Sequence, residues 1–168
     1  MKRVIVKKGD IFFVKINDIS KRYFQYITND LKQLNSDVIR CFKKIYSIED
    51  NPNLDEIIKE EIFFHVHCVV KLGVKLGCWE KVGNIDDVGK FEHILFRDTN
   101  DYGIIKGQEH VKISNNWYVW RINDPVSEKV GKLEGEYREA EMGMVINPLG
   151  IIELLKGNKY PINYPDFE

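Results

Sequence analysis

The stretch Gly9-Asp10-Ile11-Phe12-Phe13-Val14-Lys15-Ile16, followed by Asn17-Asp18-Ile19-Ser20 and then Tyr23-Phe24-Gln25-Tyr26-Ile27, decides the fold class. Ile11 to Ile16 is a short β-branched and aromatic run that reads as a strand. The polar Asn17–Ser20 segment reads as a hairpin loop, and Tyr23–Ile27 as the returning strand. Along the chain, strands do not alternate with helices of about 10–15 residues, which argues against a parallel α/β sheet.

The same logic extends along the chain. Thr28 to Ser36 is polar and rich in Asn and Asp, hence turn-like, and Asp37 to Tyr46 supplies a third strand. Asn51-Pro52-Asn53 opens a short helix in which Leu54, Ile57 and Ile58 share one face and Asn53 is the cap. Ile62 to Lys71 is almost continuously β-branched or aromatic and reads as a central strand buried on both faces. Gly73, Gly77 and Gly83 favour turns after it. His93–Arg97 reads as a strand, and Asp98–Gln108 as a polar loop. His110–Ile113 and Trp117–Ile122 read as a hairpin. Lys129–Leu133 and Gly143–Ile146 add further strands. A second helix starts at Asn147-Pro148, buries Leu149, Ile152 and Leu155, and stops at Gly157. The tail from Tyr160 to Glu168 carries two prolines and reads as extended over the body. The expectation is one α+β domain over residues 1–168. It is mainly β, with a strongly bent antiparallel sheet or partial barrel and two short helices.

Composition bounds the function. The 168 residues carry 25 basic and 26 acidic side chains, with 43% hydrophobic residues, which suits one soluble core and excludes a disordered tail or a wholly basic nucleic-acid binder. The near-neutral total hides an asymmetry: residues 1–48 hold 11 basic and 4 acidic side chains, and the remainder holds 14 basic and 22 acidic. The apolar run in Met1-Lys2-Arg3-Val4-Ile5-Val6 is too short for a secretory leader, and Ile62–Val70 is too short to span a bilayer. Cys41, Cys68 and Cys78 form no disulfide or zinc spacing, as expected of thiols in a reducing cytoplasm.

Catalytic signatures are weak. His65 and His67 alternate on one strand face, a spacing that can hold a metal if His93 or His110 adds a third ligand. That alternative is a metal-dependent hydrolase; packing histidines are the plainer account. Gly83–Lys90 has one residue too many for a phosphate loop, and Phe91 stands where Ser or Thr must reach Mg²⁺. No nucleophile elbow is present, and Cys68 reads as inert packing. Trp117, Tyr118 and Trp120 are core packing or, alternatively, a groove for a small ligand or single-stranded nucleic acid. Arg22, Lys32, Arg40, Lys43 and Lys44 form a basic segment, but overall neutrality argues against nucleic acid as partner. Glu134-Gly135-Glu136-Tyr137-Arg138-Glu139-Ala140-Glu141 packs four acids into eight residues, which suits an exposed edge or an acidic patch that steers a basic partner. No cofactor is implied.

Two stretches carry a resemblance. Gly9-Asp10-Ile11-Phe12 with Tyr23-Phe24-Gln25-Tyr26, and later Gly77-Cys78-Trp79-Glu80-Lys81-Val82-Gly83, together resemble the immunity protein 26 family of bacterial polymorphic-toxin systems. The resemblance covers about residues 9–84. It implies a mainly β, non-catalytic cytoplasmic protein that neutralises a cognate toxin domain by binding it. Beside it, the acidic stretch nominates Glu134, Glu136, Tyr137, Glu139 and Glu141 as the partner-binding residues, with a basic nuclease as the kind of toxin they would steer.

Overall fold

The computed structural model describes residues 4–168; Met1-Lys2-Arg3, which open the stretch weighed as a leader, lie outside the described residues. Strand takes up 35% of the chain and helix 14%, so the fold is mainly β. The first sheet uses β1 (Asp10–Lys15), β2 (Ser20–Asp30), β3 (Ser36–Phe42), β4 (Tyr46–Ser47), β5 (Ile62–Cys68) and β6 (Glu80–Asn84). The second uses β7 (Leu95–Thr99), β8 (Trp117–Arg121), β9 (Glu128–Gly131) and β10 (Glu141–Met142). Strand β11 (Val145–Ile146) returns to the first sheet, whose order is β11-β5-β3-β2-β1-β6 with β4 paired to β2. The second sheet runs β10-β7-β8-β9. The first sheet is bent but does not close into a barrel. Bulges in the β1–β6, β2–β3 and β3–β5 ladders mark where its strands lose register. Pairing is antiparallel except for β10 on β7 and β11 on β5, two-residue parallel ladders that the sequence pattern did not suggest.

Alternation along the strands explains the layers. Phe12, Phe24, Ile39, Cys41 and Val66 point to one face of the first sheet, covered by α2 (Val70–Lys75), Trp79 and α3 (Pro148–Leu155). Ile11, Tyr23 and Phe42 point the other way under α1 (Leu54–Ile57). Ile27 and Val38, on that second face, meet Phe96 and Trp120 of the second sheet and Ile94 just before it.

Both asparagine caps form as expected: the side chains of Asn53 and Asn147 accept from the N–H groups of Glu56 and Gly150. Four expectations need correction. The Ile62–Lys71 run is not one strand buried on both faces. It ends at Cys68, Ile62 is exposed, and Val70–Lys75 turns into α2. That turn is set by Trp79, whose indole N–H donates to the Val70 carbonyl at 3.0 Å and whose ring lies edge-on to Phe24. Gly73 is required beneath it, since a Cβ there would lie 1.9 Å from the indole. His110–Ile113 forms no hairpin with Trp117–Ile122; β8 pairs instead with β7 and β9, and Ile113 makes one bridge to Asp166 of the tail. In α3 the buried residues are Pro148, Gly150, Ile151 and Leu155, whereas Leu149 is 67% exposed. The α-helices number three among the described residues, not two.

The basic N-terminal segment is not a basic face. Lys21, Arg22 and Arg40 are buried and donate to backbone carbonyls: Lys21 to Ile48 and Asp50, Arg22 to Leu155, Arg40 to Asp87. Lys43 and Lys44 pair with Glu61 and Glu60.

Candidate functional site

The acidic stretch folds around a 3-10 turn at Gly135–Glu139. Leu133, Tyr137 and Ala140 turn inward and pack with Trp117 and Leu95. That inward spacing puts Glu134, Glu136 and Glu139 outside, where all three are exposed. Arg97 ties the segment down by donating from Nη1 to the Ala140 carbonyl, and the Gly143 N–H donates to the Arg97 carbonyl at 2.7 Å. Arg138 pairs with Glu168 of the tail.

Glu141 differs from the other acids. On β10 it reaches across to the first sheet, where its Oε1 accepts from the His65 N–H at 3.0 Å and lies 3.4 Å from the imidazole Nδ1. It is a link between the sheets, and only partly exposed. Tyr137 is half-buried, so it is an inward anchor and not a free aromatic contact. Of the five residues nominated from the sequence, the structure places Glu134, Glu136 and Glu139 at the surface and gives the other two packing roles.

A cleft of about 410 Å³ opens beside this segment. Its walls include Glu136, Glu139 and Glu141 with Arg121, His65 and His93. Arg121 lies 3.7 Å from Glu136, an exposed pair. Three carboxylates against one guanidinium leave the cleft net negative when both imidazoles are neutral. The sequence drew attention to the acids but not to this cleft, because its walls come from β5, the segment before β7, and β8, far apart in the chain.

The two histidines that alternate on β5 both face the second sheet, as the strand period requires, yet they meet different partners. His65 faces Glu141. The His67 ring is fully buried, lies 4.3 Å from the Phe96 ring centroid, and has its Nε2 3.0 Å from Asp30 Oδ2. Asp30 Oδ1 also accepts from the N–H groups of Gln33 and Asn123. Burial raises the Asp30 pKa, but hydrogen bonds from His67, Asn123 and Gln33 outweigh it and hold the carboxyl below its ordinary value. Asp30 is therefore a buried staple at the end of β2 that holds β5 through His67 and the β8–β9 turn through Asn123. His93 lines the cleft with His65, whereas His67 is buried against Asp30 and His110 stands in the loop before β8, so the four do not gather in one place. Among the described residues, no three His, Cys, Asp or Glu side chains come together as a metal-holding group.

Trp117 and Trp120 are buried in two separate clusters, so they do not form the ligand groove considered from the sequence. Tyr118 is half-buried and donates to Asp98. Burial, then the neighbouring Asp98 carboxylate, pushes the Tyr118 phenol up to about 12. Cys68 is fully buried and its thiol is pushed well up by burial, then by Asp37, which makes it inert.

The residues that carried the family resemblance are structural. Gly9 sits in the left-handed region at φ +90°, and a Cβ there would lie 2.5 Å from the Ile85 carbonyl oxygen. Asp10 is buried and accepts from Lys7 N–H, Asn84 Nδ2 and Lys81 Nζ, which fixes the β1–β6 edge. No helix among the described residues is long and apolar enough to cross a membrane. No curated protein and no solved structure matches the chain. A family model does match, over residues 7–101, and its description is immunity protein 26. That span takes in Gly9, Asp10, Phe24, Gly73 and Trp79 and covers more than half of the sequence, so the chain belongs to the immunity protein 26 family.

Proposed function

We propose that this protein is a cytoplasmic immunity protein that binds a cognate toxin domain one-to-one and neutralises it without chemistry of its own. The observation that carries the reading is the family match over residues 7–101. This reading takes residues 1–168 as one domain, and the buried cluster that Ile27 and Val38 of the first sheet share with Phe96 and Trp120 of the second supports it.

The partner-facing charge in this reading is Glu134, Glu136 and Glu139, with Glu141 deepening the negative cleft and Tyr137 holding the segment in place. A negative surface raises the encounter rate with a positive partner. A toxin with a basic face, such as a nuclease, fits it. Co-expression in bacteria with the C-terminal region of the reading frame immediately upstream tests the proposal. Growth in the presence of an otherwise lethal fragment, with co-purification of the two chains, supports it. Continued killing, or rescue without a complex, contradicts it.

A further inference from the structure

The cleft beside the 3-10 turn is not lined by acids alone. Two of the four histidines of the sequence, His65 and His93, stand on its wall with Glu136, Glu139, Glu141 and Arg121. His65 comes from β5 and its side chain is 14% exposed. His93 comes from the segment before β7 and is exposed. Strand alternation turns His65 toward the second sheet, and Glu141 of β10 meets it there. One oxygen of that carboxylate accepts from the His65 N–H at 3.0 Å and lies 3.4 Å from Nδ1.

The other charges near the two rings have partners of their own. Arg40 stands opposite His65 on β3, but its guanidinium donates to Gln25 Oε1 and to the Asp87 carbonyl. Arg97 of β7 feels the Glu141 carboxylate and donates to the Ala140 carbonyl. Glu92, beside His93, accepts from the Phe91 N–H, and Lys8 near it lies over the Phe91 ring. His67, two residues along β5, is paired with buried Asp30. Imidazole is the side chain that ordinarily changes charge between about pH 5 and pH 8, whereas carboxylates and guanidinium ordinarily titrate outside that window. With neutral rings, three carboxylates face one guanidinium across the cleft. With both rings protonated, three carboxylates face three cations, and the pull on a positive partner is cancelled.

Resting on the immunity reading above, we propose that His65 and His93 gate the cleft: their protonation under mild acid removes the negative potential that steers a basic toxin, so the complex forms fastest near neutral pH. The partner-facing surface stays the one proposed above, and the two histidines make its attraction depend on pH. His65 acts directly on Glu141, the acid its ring already approaches.

The test is stopped-flow association of the full chain with the upstream-encoded toxin domain at about pH 7.5 and about pH 5.5, for the parent, His65→Gln, His93→Gln and the double variant. Both values lie above the acid limb expected of Asp30, and thermal unfolding at each pH checks that every variant is folded. The parent is expected to associate about tenfold more slowly at the lower pH, and the double variant to change by less than about threefold. The toxin's own titration is common to all four chains, so the difference between parent and double variant isolates the cleft. Should His65→Gln lower the unfolding midpoint, His93→Gln, at an exposed position, carries the test with a pH drop smaller than the parent's. At about 1 M salt, where screening acts within about 3 Å, the parent's pH difference is expected to vanish. A parent rate that does not change with pH, or a drop that the double variant reproduces in full, overturns the proposal and leaves the immunity reading standing. No association of the parent at either pH overturns the immunity reading, and this proposal with it.

Discussion

Residues 7–101 and the residues beyond them both bury their tryptophans, but they differ in where their charged residues singled out from the sequence point. In the first region the motif residues turn inward: Trp79 and Phe24 fill the core, Gly73 makes room for the indole, and buried Asp10 ties β1 to β6. The second also buries Trp117 and Trp120, but it turns Glu134, Glu136 and Glu139 of the 3-10 turn outward. The contrast teaches that the part matched by the family specifies a scaffold. On the proposed reading, recognition is carried by what the scaffold displays.

Breaking the scaffold has the largest expected effect. Trp79→Ala removes a buried indole together with its hydrogen bond to Val70, and should cost about 3–5 kcal/mol. Gly73→Val drives a side chain into the same ring and should be of similar size. Urea unfolding measures both, and neutralisation should fail in proportion to the folded fraction.

Asp30 joins the two regions, since its carboxylate holds His67 on one side and Asn123 on the other. Asp30→Ala leaves a buried imidazole unpaired on that side and should cost about 3 kcal/mol. The Asp30 pKa is lowered in the folded protein. Its contribution to stability is therefore complete above the unfolded carboxyl value of about 4 and is lost as pH falls through the lowered folded value. Unfolding followed from pH 7 downward should show an acid-sensitive limb below about pH 4 that Asp30→Ala flattens. An unchanged limb would remove Asp30 from the account.

Charge reversal sharpens the outward side. Glu136→Lys with Glu139→Lys should slow association with a basic toxin by about tenfold and flatten its salt dependence. Stability should change by no more than about 1 kcal/mol, because the Arg121–Glu136 pair is exposed. Stopped-flow association at several ionic strengths measures this. The smallest expected effect is Leu149→Asp, which should leave folding within about 0.5 kcal/mol.

The sheet that opens the chain was legible because Ile11–Ile16 and Tyr23–Ile27 combine strand formers with a polar turn, and local preference agrees with the fold there. Asn53 and Asn147 were legible for the same reason, since a cap is a local device. What escaped was set by distant partners. Val70–Lys75 carries strand-like residues and a glycine, yet Trp79 holds it as α2. In α3, both Leu149 with Ile152 and Pro148 with Ile151 satisfy helical spacing, and only contact with the sheet selects the second set. His110–Ile113 alternates like a strand, but the chain that reaches it is the tail at Asp166. The site was half legible. Four acids in eight residues marked the segment, while the inward roles of Tyr137 and Glu141 depend on Trp117 and His65.

The central claim is neutralisation by stoichiometric occupancy. It is tested most directly by titrating a fixed amount of the active toxin domain with purified protein and reading residual toxin activity. The account predicts a linear fall that ends at one molecule of protein per toxin, with the toxin recovered chemically intact. Complete inactivation well below equivalence, or a toxin left altered in mass, would contradict it.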